Sequence, residues 1–148
     1  MLRLPTTYYR RLHERANKRT NGQRPYDAFG RGDIPTILNM LADDVDWYDP
    51  GPPAVTHAGR YRGREDVMRF FSRIGESLAI ETFQPTEFIV QGDRVIVLGS
   101  IRAKVKQTGL VYDNEWAMSW TLRDGRVTKW QIYEDTAREL AAHAPAAV

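Results

Sequence analysis

The chain has 148 residues, of which 42% are hydrophobic and 27% charged, and it contains no cysteine. A chain of this length suits one domain that buries roughly two thirds of its unfolded surface, and the composition excludes disorder over most of it. The missing cysteines exclude disulfide scaffolds, thiolate metal sites and cysteine nucleophiles, and no apolar run approaches the roughly 20 residues of a membrane span.

The formal net charge of +2 is unevenly divided. Residues 1–24 carry seven basic side chains against Glu14 alone, a balance of +6, whereas residues 25–148 carry 14 basic and 18 acidic ones, a balance of −4. The expected organisation is a basic extension over 1–24, helical or partly flexible, one domain over 25–140 and a flexible tail over 141–148. The extension reads either as an arm for an anionic surface or as a solvated segment. The body shows no basic groove interleaved with aromatic residues, so nucleic acid is not an expected partner, and no membrane is. The start lacks the apolar stretch of a secretory signal, which points to the cytoplasm, although an Arg-rich, acid-poor start also suits an organellar transit peptide. His13, His57 and His143 do not have metal-site spacing, and no phosphate loop or nucleotide fingerprint is present. No metal and no cofactor are expected.

In chain order, Tyr8–Lys18 predicts a basic helix broken by Thr20-Asn21-Gly22, and Pro25 opens a second, Pro25–Arg31, stopped by Gly32. Asp33 reads as the N-cap of a short amphipathic helix with Ile34, Ile37, Leu38 and Leu41 at helical spacing, ending near Ala42. Val45–Asp49 alternates as a strand that Pro50-Gly51-Pro52-Pro53 ends. Tyr61-Arg62-Gly63 is a brief extended piece before a helix from Arg64 to about Ser77, with Val67, Met68, Phe70, Phe71 and Ile74 on its buried side. Four long strands follow, Ile80–Val90, Arg94–Lys106, Val111–Arg123 and Arg126–Glu134, joined at Gln91-Gly92-Asp93, Thr108-Gly109 and Asp124-Gly125. From Thr136 a last helical turn fades into an Ala-Pro end. Helices first and a strand meander afterwards predict an α+β fold.

Strand parity locates the candidate chemistry. Side chains alternate between faces, so Val45, Trp47 and Asp49 share one face, as do Trp116, Met118, Trp120 and Leu122, and Thr128, Trp130, Ile132 and Glu134. A curved sheet capped by helices turns these rows inward, as a plain core or as the wall of an aromatic pocket for a small hydrophobic molecule. Asp49 reads either as a carboxylate ending an apolar row or as the turn former of an Asp-Pro pair.

Gly32-Asp33-Ile34, Leu41 to Pro50, and Tyr61-Arg62-Gly63-Arg64-Glu65 ahead of an aromatic-rich helix, with Tyr133-Glu134-Asp135-Thr136 at the end, resemble the nuclear transport factor 2-like superfamily, in particular its SnoaL-like and ketosteroid-isomerase-like members. The resemblance covers about Tyr26 to Thr136. It implies a cone-shaped α+β fold in which three N-terminal-half helices pack on the concave side of a curved, mostly antiparallel mixed sheet, and a homodimer formed through the outer sheet face. It also implies that Asp49 stands at the general base of ketosteroid isomerases, the handling of a carbonyl proton by a carboxylate in an apolar site. The tyrosine of those enzymes falls near Pro25, with Tyr26 displaced by one residue, and their second oxyanion donor falls on Met118, which donates no hydrogen bond. The Arg and Asp residues of limonene-epoxide-hydrolase-like members are matched by Trp116, Met118 and Ile132, which disfavours epoxide hydrolysis.

The candidate catalytic residues are therefore Asp49, Tyr26, His57 and Glu134, and the candidate ligand-binding residues are Val45, Trp47, Trp116, Met118, Trp120, Trp130 and Ile132. His57 reads as a gate or proton relay, or as a surface loop histidine, and Glu134 as a pocket-mouth carboxylate, or as a solvated edge charge. Arg60, Arg62 and Arg64 read as strand-edge and helix-start charges. Two functions follow: a cofactor-free isomerase or cyclase acting on a carbonyl-containing polycyclic or polyketide-like substrate with Asp49 as base, or a non-catalytic ligand-binding or dimerisation module.

Overall fold

The computed structural model describes residues 22–144. The helix expected over Tyr8–Lys18 lies outside them. Helix α1 spans 22–30, so Gly22 is already helical and Pro25 stands within the helix rather than opening it. The glycine has a packing reason: a Cβ there would come within 3.1 Å of Val95, so its absence lets the helix approach the sheet. Gly32, at φ +71°, ends the segment as the sequence suggests.

Helix α2 (Ile34–Asn39) is capped by Asp33, whose carboxylate accepts from the Thr36 amide at 3.2 Å and the Thr36 hydroxyl at 2.7 Å. It stops before Leu41. Leu41 and Ala42, expected in the helix, instead begin strand β1 (Leu41–Asp49), where Leu41 pairs with Val127 and is fully buried. The Val127 amide donating to the Met40 carbonyl at 2.9 Å draws the chain into the sheet at that point, and this tertiary contact overrides the helical spacing.

β2 (Gly59–Arg62) pairs with β1, and α3 (Gly63–Ser77) crosses the same strands. Of the five α3 residues expected inside, Val67 and Phe70 are buried and Phe71 and Ile74 pack partly on the core, but Met68 is 50% exposed. The other four cluster on one face at a period of 3.6, and Met68 stands roughly 100° off it.

The meander is β3 (Leu78–Gln91), β4 (Arg94–Val105), β5 (Val111–Arg123) and β6 (Arg126–Glu134). Together the six strands form one open, curved sheet in the order β2-β1-β6-β5-β4-β3, antiparallel except for β1 beside β6. Register shifts near Thr82 and Pro85 bend β3, and Pro85 is tolerated because β3 is an edge strand. The chain closes with α4 (Thr136–His143), two turns where only one was expected, capped by the Asp135 carboxylate accepting from the Ala137 and Arg138 amides. The α+β architecture of helices on the concave face of a mixed sheet is thus present, with α4 added to it.

Register lines up the concave face in rows. Tyr61, Trp47, Trp130, Trp120 and Val95 are successive partners across β2, β1, β6, β5 and β4. Trp47 stacks on Trp130 at 4.1 Å between centroids and meets Trp120 edge-on at 5.8 Å. Each such pair contributes about 0.5–1.5 kcal/mol beyond its buried area. A second row runs Pro85, Gly99, Trp116, Glu134. Here the Trp116 indole lies flat over Gly99, in space that a side chain would occupy: a Cβ at Gly99 would lie 2.5 Å from the Gln84 carbonyl oxygen and closer still to the indole.

Two glycine substitutions should therefore act with opposite signs. Gly99→Ala forces Trp116 or β3 to move and should destabilise the fold by about 1–3 kcal/mol, whereas Gly75→Ala, in open space on α3, should stabilise it by about 0.5–1 kcal/mol. Chemical denaturation of both variants checks the pair.

Candidate functional site

The two rows and the four helices enclose a cavity of about 90 Å3. Its inner wall is Trp47, Trp116, Met118, Trp120, Trp130 and Ile132, and its open side is formed by Phe29, Phe71, Ile74, Ile80 and Phe83, all partly buried. Of the expected ligand-binding residues only Val45 does not line it; it is fully buried in the packed core beneath. The four expected catalytic residues, Asp49, Tyr26, His57 and Glu134, all do.

Asp49 ends β1 two residues past Trp47, on the same face, paired with Gly59 and 3% exposed. Its Oδ1 has no hydrogen-bond partner among the described residues, and its Oδ2 lies 3.8 Å from His57 Nε2. Burial first, then the nearby Glu139 and Glu134, raise this carboxyl well above its ordinary range.

His57 is not a surface residue: it is 2% exposed. Pro50-Gly51-Pro52-Pro53 starts a loop that folds back through Val55 N–H to Pro52 and Ala58 N–H to Val55, each at 3.0 Å, with Val55 as its buried anchor. Gly51 lets the loop close on itself, since a Cβ there would lie 2.8 Å from Ala58, and the Tyr61 hydroxyl donates to the His57 carbonyl at 2.8 Å. The imidazole is thereby turned inward, its Nε2 2.8 Å from Glu139 Oε1 and its Nδ1 3.3 Å from the Ser77 hydroxyl. Burial lowers its pKa to about 4 and raises that of Glu139. Both shifts favour the neutral forms, and a neutral pair makes this contact with the Glu139 carboxyl donating to Nε2 and the ring proton on Nδ1, toward Ser77 Oγ.

Glu139 carries the missing information of the sequence reading. It comes from α4, is 1% exposed, and leaves Oε2 unpartnered among the described residues. Beside it Glu134 accepts from Asn114 Nδ2 at 3.4 Å, and burial together with Glu139 raises its pKa to about 9. None of the lining side chains is a lysine or arginine. The available signal was Asp135 as an N-cap ahead of Thr136-Ala137-Arg138-Glu139-Leu140, which fixes a helix and with it the inward face of Glu139. Among the described residues no group of histidine and carboxylate side chains is arranged to hold a metal ion. Arg60 and Arg64 serve the sheet, Arg60 binding Asp46 and Arg64 the Leu41 carbonyl.

Tyr26, one residue from the expected tyrosine position, and Met118, at the second oxyanion position, meet: the Tyr26 hydroxyl donates to Met118 Sδ at 3.1 Å and accepts from Trp120 Nε1 at 3.0 Å. A hydroxyl that already accepts an indole N–H is a stronger donor, and sulfur is a weak acceptor that a ligand oxygen outcompetes. The indole N–H groups of Trp47, Trp116 and Trp130 are buried without partners among the described residues. The cavity wall thus holds the Tyr26 hydroxyl, three indoles whose N–H groups are unpartnered among the described residues, and the buried Asp49 carboxyl.

The SnoaL-like domain model matches residues 23–130. An NTF2-like protein of Burkholderia xenovorans LB400 is 31% identical, with a TM-score of 0.76 over 84% of this chain and 93% of its own. TerC, co-crystallised with polyporic acid, is 29% identical, with a TM-score of 0.71 over 79% of this chain and 90% of its own. A Mycobacterium tuberculosis (strain H37Rv) protein of uncharacterised role is 29% identical over 119 residues, 78% of this chain and 87% of the relative. The chain belongs to the SnoaL-like domain family, within the NTF2-like superfamily.

Proposed function

We propose that the protein holds a small, flat, carbonyl-bearing molecule in this cavity and moves a proton on it without a cofactor, as an isomerase or cyclase with Asp49 as the general base. The observation that carries this reading is the unpartnered Oδ1 of a 3% exposed Asp49 at the end of a wall of indoles. A carboxylate there has no competing donor and little water around it, which strengthens it as a base once ionised. Negative charge developing on the ligand oxygen is met by Tyr26 and the indole N–H groups, in place of the second carboxyl donor whose position Met118 occupies. TerC's co-crystallisation with polyporic acid supports an organic ligand in this fold. The protein acts in the cytoplasm as a homodimer joined through the outer sheet face, where Tyr133 is 54% exposed.

The raised pKa of Asp49 favours a second reading, a binding module without turnover. A protonated Asp49 donates a hydrogen bond to a ligand oxygen and takes no proton from carbon.

Deuterium exchange of the α-protons of β-tetralone, a flat bicyclic ketone, followed by NMR in heavy water, separates the two. As a base, Asp49 gives protein-dependent exchange that Asp49→Asn lowers by about a hundredfold or more; equal exchange with both proteins, or none with either, leaves the binding module. Because the base works only when ionised, the exchange rate should rise with pH, at a midpoint well above the ordinary 3.8 of an aspartate. Stability should move the other way. Acids with raised folded pKa values hold protons that the unfolded chain has already lost, so above the ordinary histidine range, where the buried His57 no longer offsets them, the wild type should lose stability as pH rises from about 7 to about 9. Asp49→Asn, with one such acid fewer, should lose less in a thermal melt over the same range.

A further inference from the structure

The His57 ring spans the wall of the cavity. Its Nε2 edge faces the buried carboxyls, 2.8 Å from Glu139 and 3.8 Å from Asp49. Its Nδ1 edge faces Ser77, whose hydroxyl is half-buried at the end of α3 and donates to the Arg73 carbonyl at 2.8 Å. His57 thus joins the fully buried Glu139 to the half-buried Ser77 hydroxyl, whereas Glu134 is itself partly exposed and is held by Asn114 Nδ2, which also donates to the Asp135 carbonyl. The titratable and charged groups around the ring are Asp49 from β1, Tyr61 from β2, Arg73 from α3, Tyr112 from β5, Glu134 from β6, and Glu139 and His143 from α4. Arg73 is engaged outside, donating to the Tyr61 hydroxyl at 3.0 Å, and the His143 ring lies 5.6 Å away with its Nδ1 on the Glu139 carbonyl.

We propose that His57 is the proton conduit of the site and that Glu139 is the positioning residue that sets its tautomer. With the cluster protonated, the Glu139 carboxyl donates to Nε2, and the ring carries its proton on Nδ1. When the cluster ionises, one proton passes from a carboxyl to Nε2, and the Nδ1 proton leaves to Ser77 and water. One proton has then gone to solvent, the ring is again neutral, and its N–H on Nε2 points at the new carboxylate. Uptake runs the same steps backwards. The switch turns an N–H toward Glu139, at 2.8 Å, only in the ionised state, and leaves Asp49, at 3.8 Å, outside hydrogen-bond reach of the ring.

The conduit itself is tested without any ligand, by nitrogen-15 histidine NMR across a pH series. The expected result is a neutral His57 whose proton shifts from Nδ1 to Nε2 as pH rises, and a single tautomer throughout in Glu139→Gln. A wild-type ring that keeps one tautomer, becomes an imidazolium, or switches unchanged in Glu139→Gln overturns the proposal. Its catalytic consequence rests on the reading of Asp49 as base and has its own arm. His57→Gln should slow β-tetralone exchange by about tenfold or more and shift its pH profile, while unfolding as cooperatively as the wild type. If Asp49→Asn removes the exchange and His57→Gln leaves its rate and pH profile unchanged, the conduit fails and the base stands. If the tautomer switches but no protein catalyses exchange, the base fails and the conduit stands.

Discussion

Burying Asp49, Glu134 and Glu139 around one imidazole, with no cationic side chain lining the cavity, constrains everything else about the site. Several carboxylates in so small an apolar volume cannot all be ionised, because desolvation and mutual repulsion both favour the neutral acid. The cluster is therefore biased toward holding protons, and a member that holds one acts as a hydrogen-bond donor rather than as a base. The imidazole answers the same pressure by staying neutral. A site with these contents is poised between binding and acid–base chemistry, and which one it performs depends on how easily a single proton leaves.

The scaffold makes that crowding possible. β1 reaches Asp49 because its antiparallel pairing with β2 runs on past Trp47 to place Asp49 opposite Gly59, and the proline-rich loop between the two strands presents His57. Glu134 ends β6 in the row of Trp116 and Gly99, and Asp135 caps the helix that returns Glu139 over the same point. Two strand ends, a loop and a helix thus converge on one point.

Much of this was legible in the sequence. Alternation in β1, β5 and β6 assigned the Trp-bearing faces correctly, because one face of each strand is buried and the parity of a strand admits only two choices. Turn residues set the strand joints to within a residue or two. What could not be read depended on contacts between distant segments. Leu41 and Ala42 satisfy a helical pattern and are taken into the sheet by β6. Met68 lies among apolar neighbours and faces solvent. His57 sits in a loop whose composition is that of a surface loop, and its burial follows from the fold-back around Val55. Glu139 was missed because an acidic residue in a short terminal helix carries no mark of burial; only the docking of α4 onto β4 and β5 supplies one.

All four tryptophans of the chain, Trp47, Trp116, Trp120 and Trp130, stand in the wall of one cavity. The tryptophan fluorescence of the protein, excited selectively over that of its tyrosines, is consequently an optical record of that cavity. Stacked and edge-on indoles a few ångströms apart exchange excitation among themselves, so a molecule or a carboxyl that quenches one of them darkens the group. The protein carries its own dye, already installed in the site.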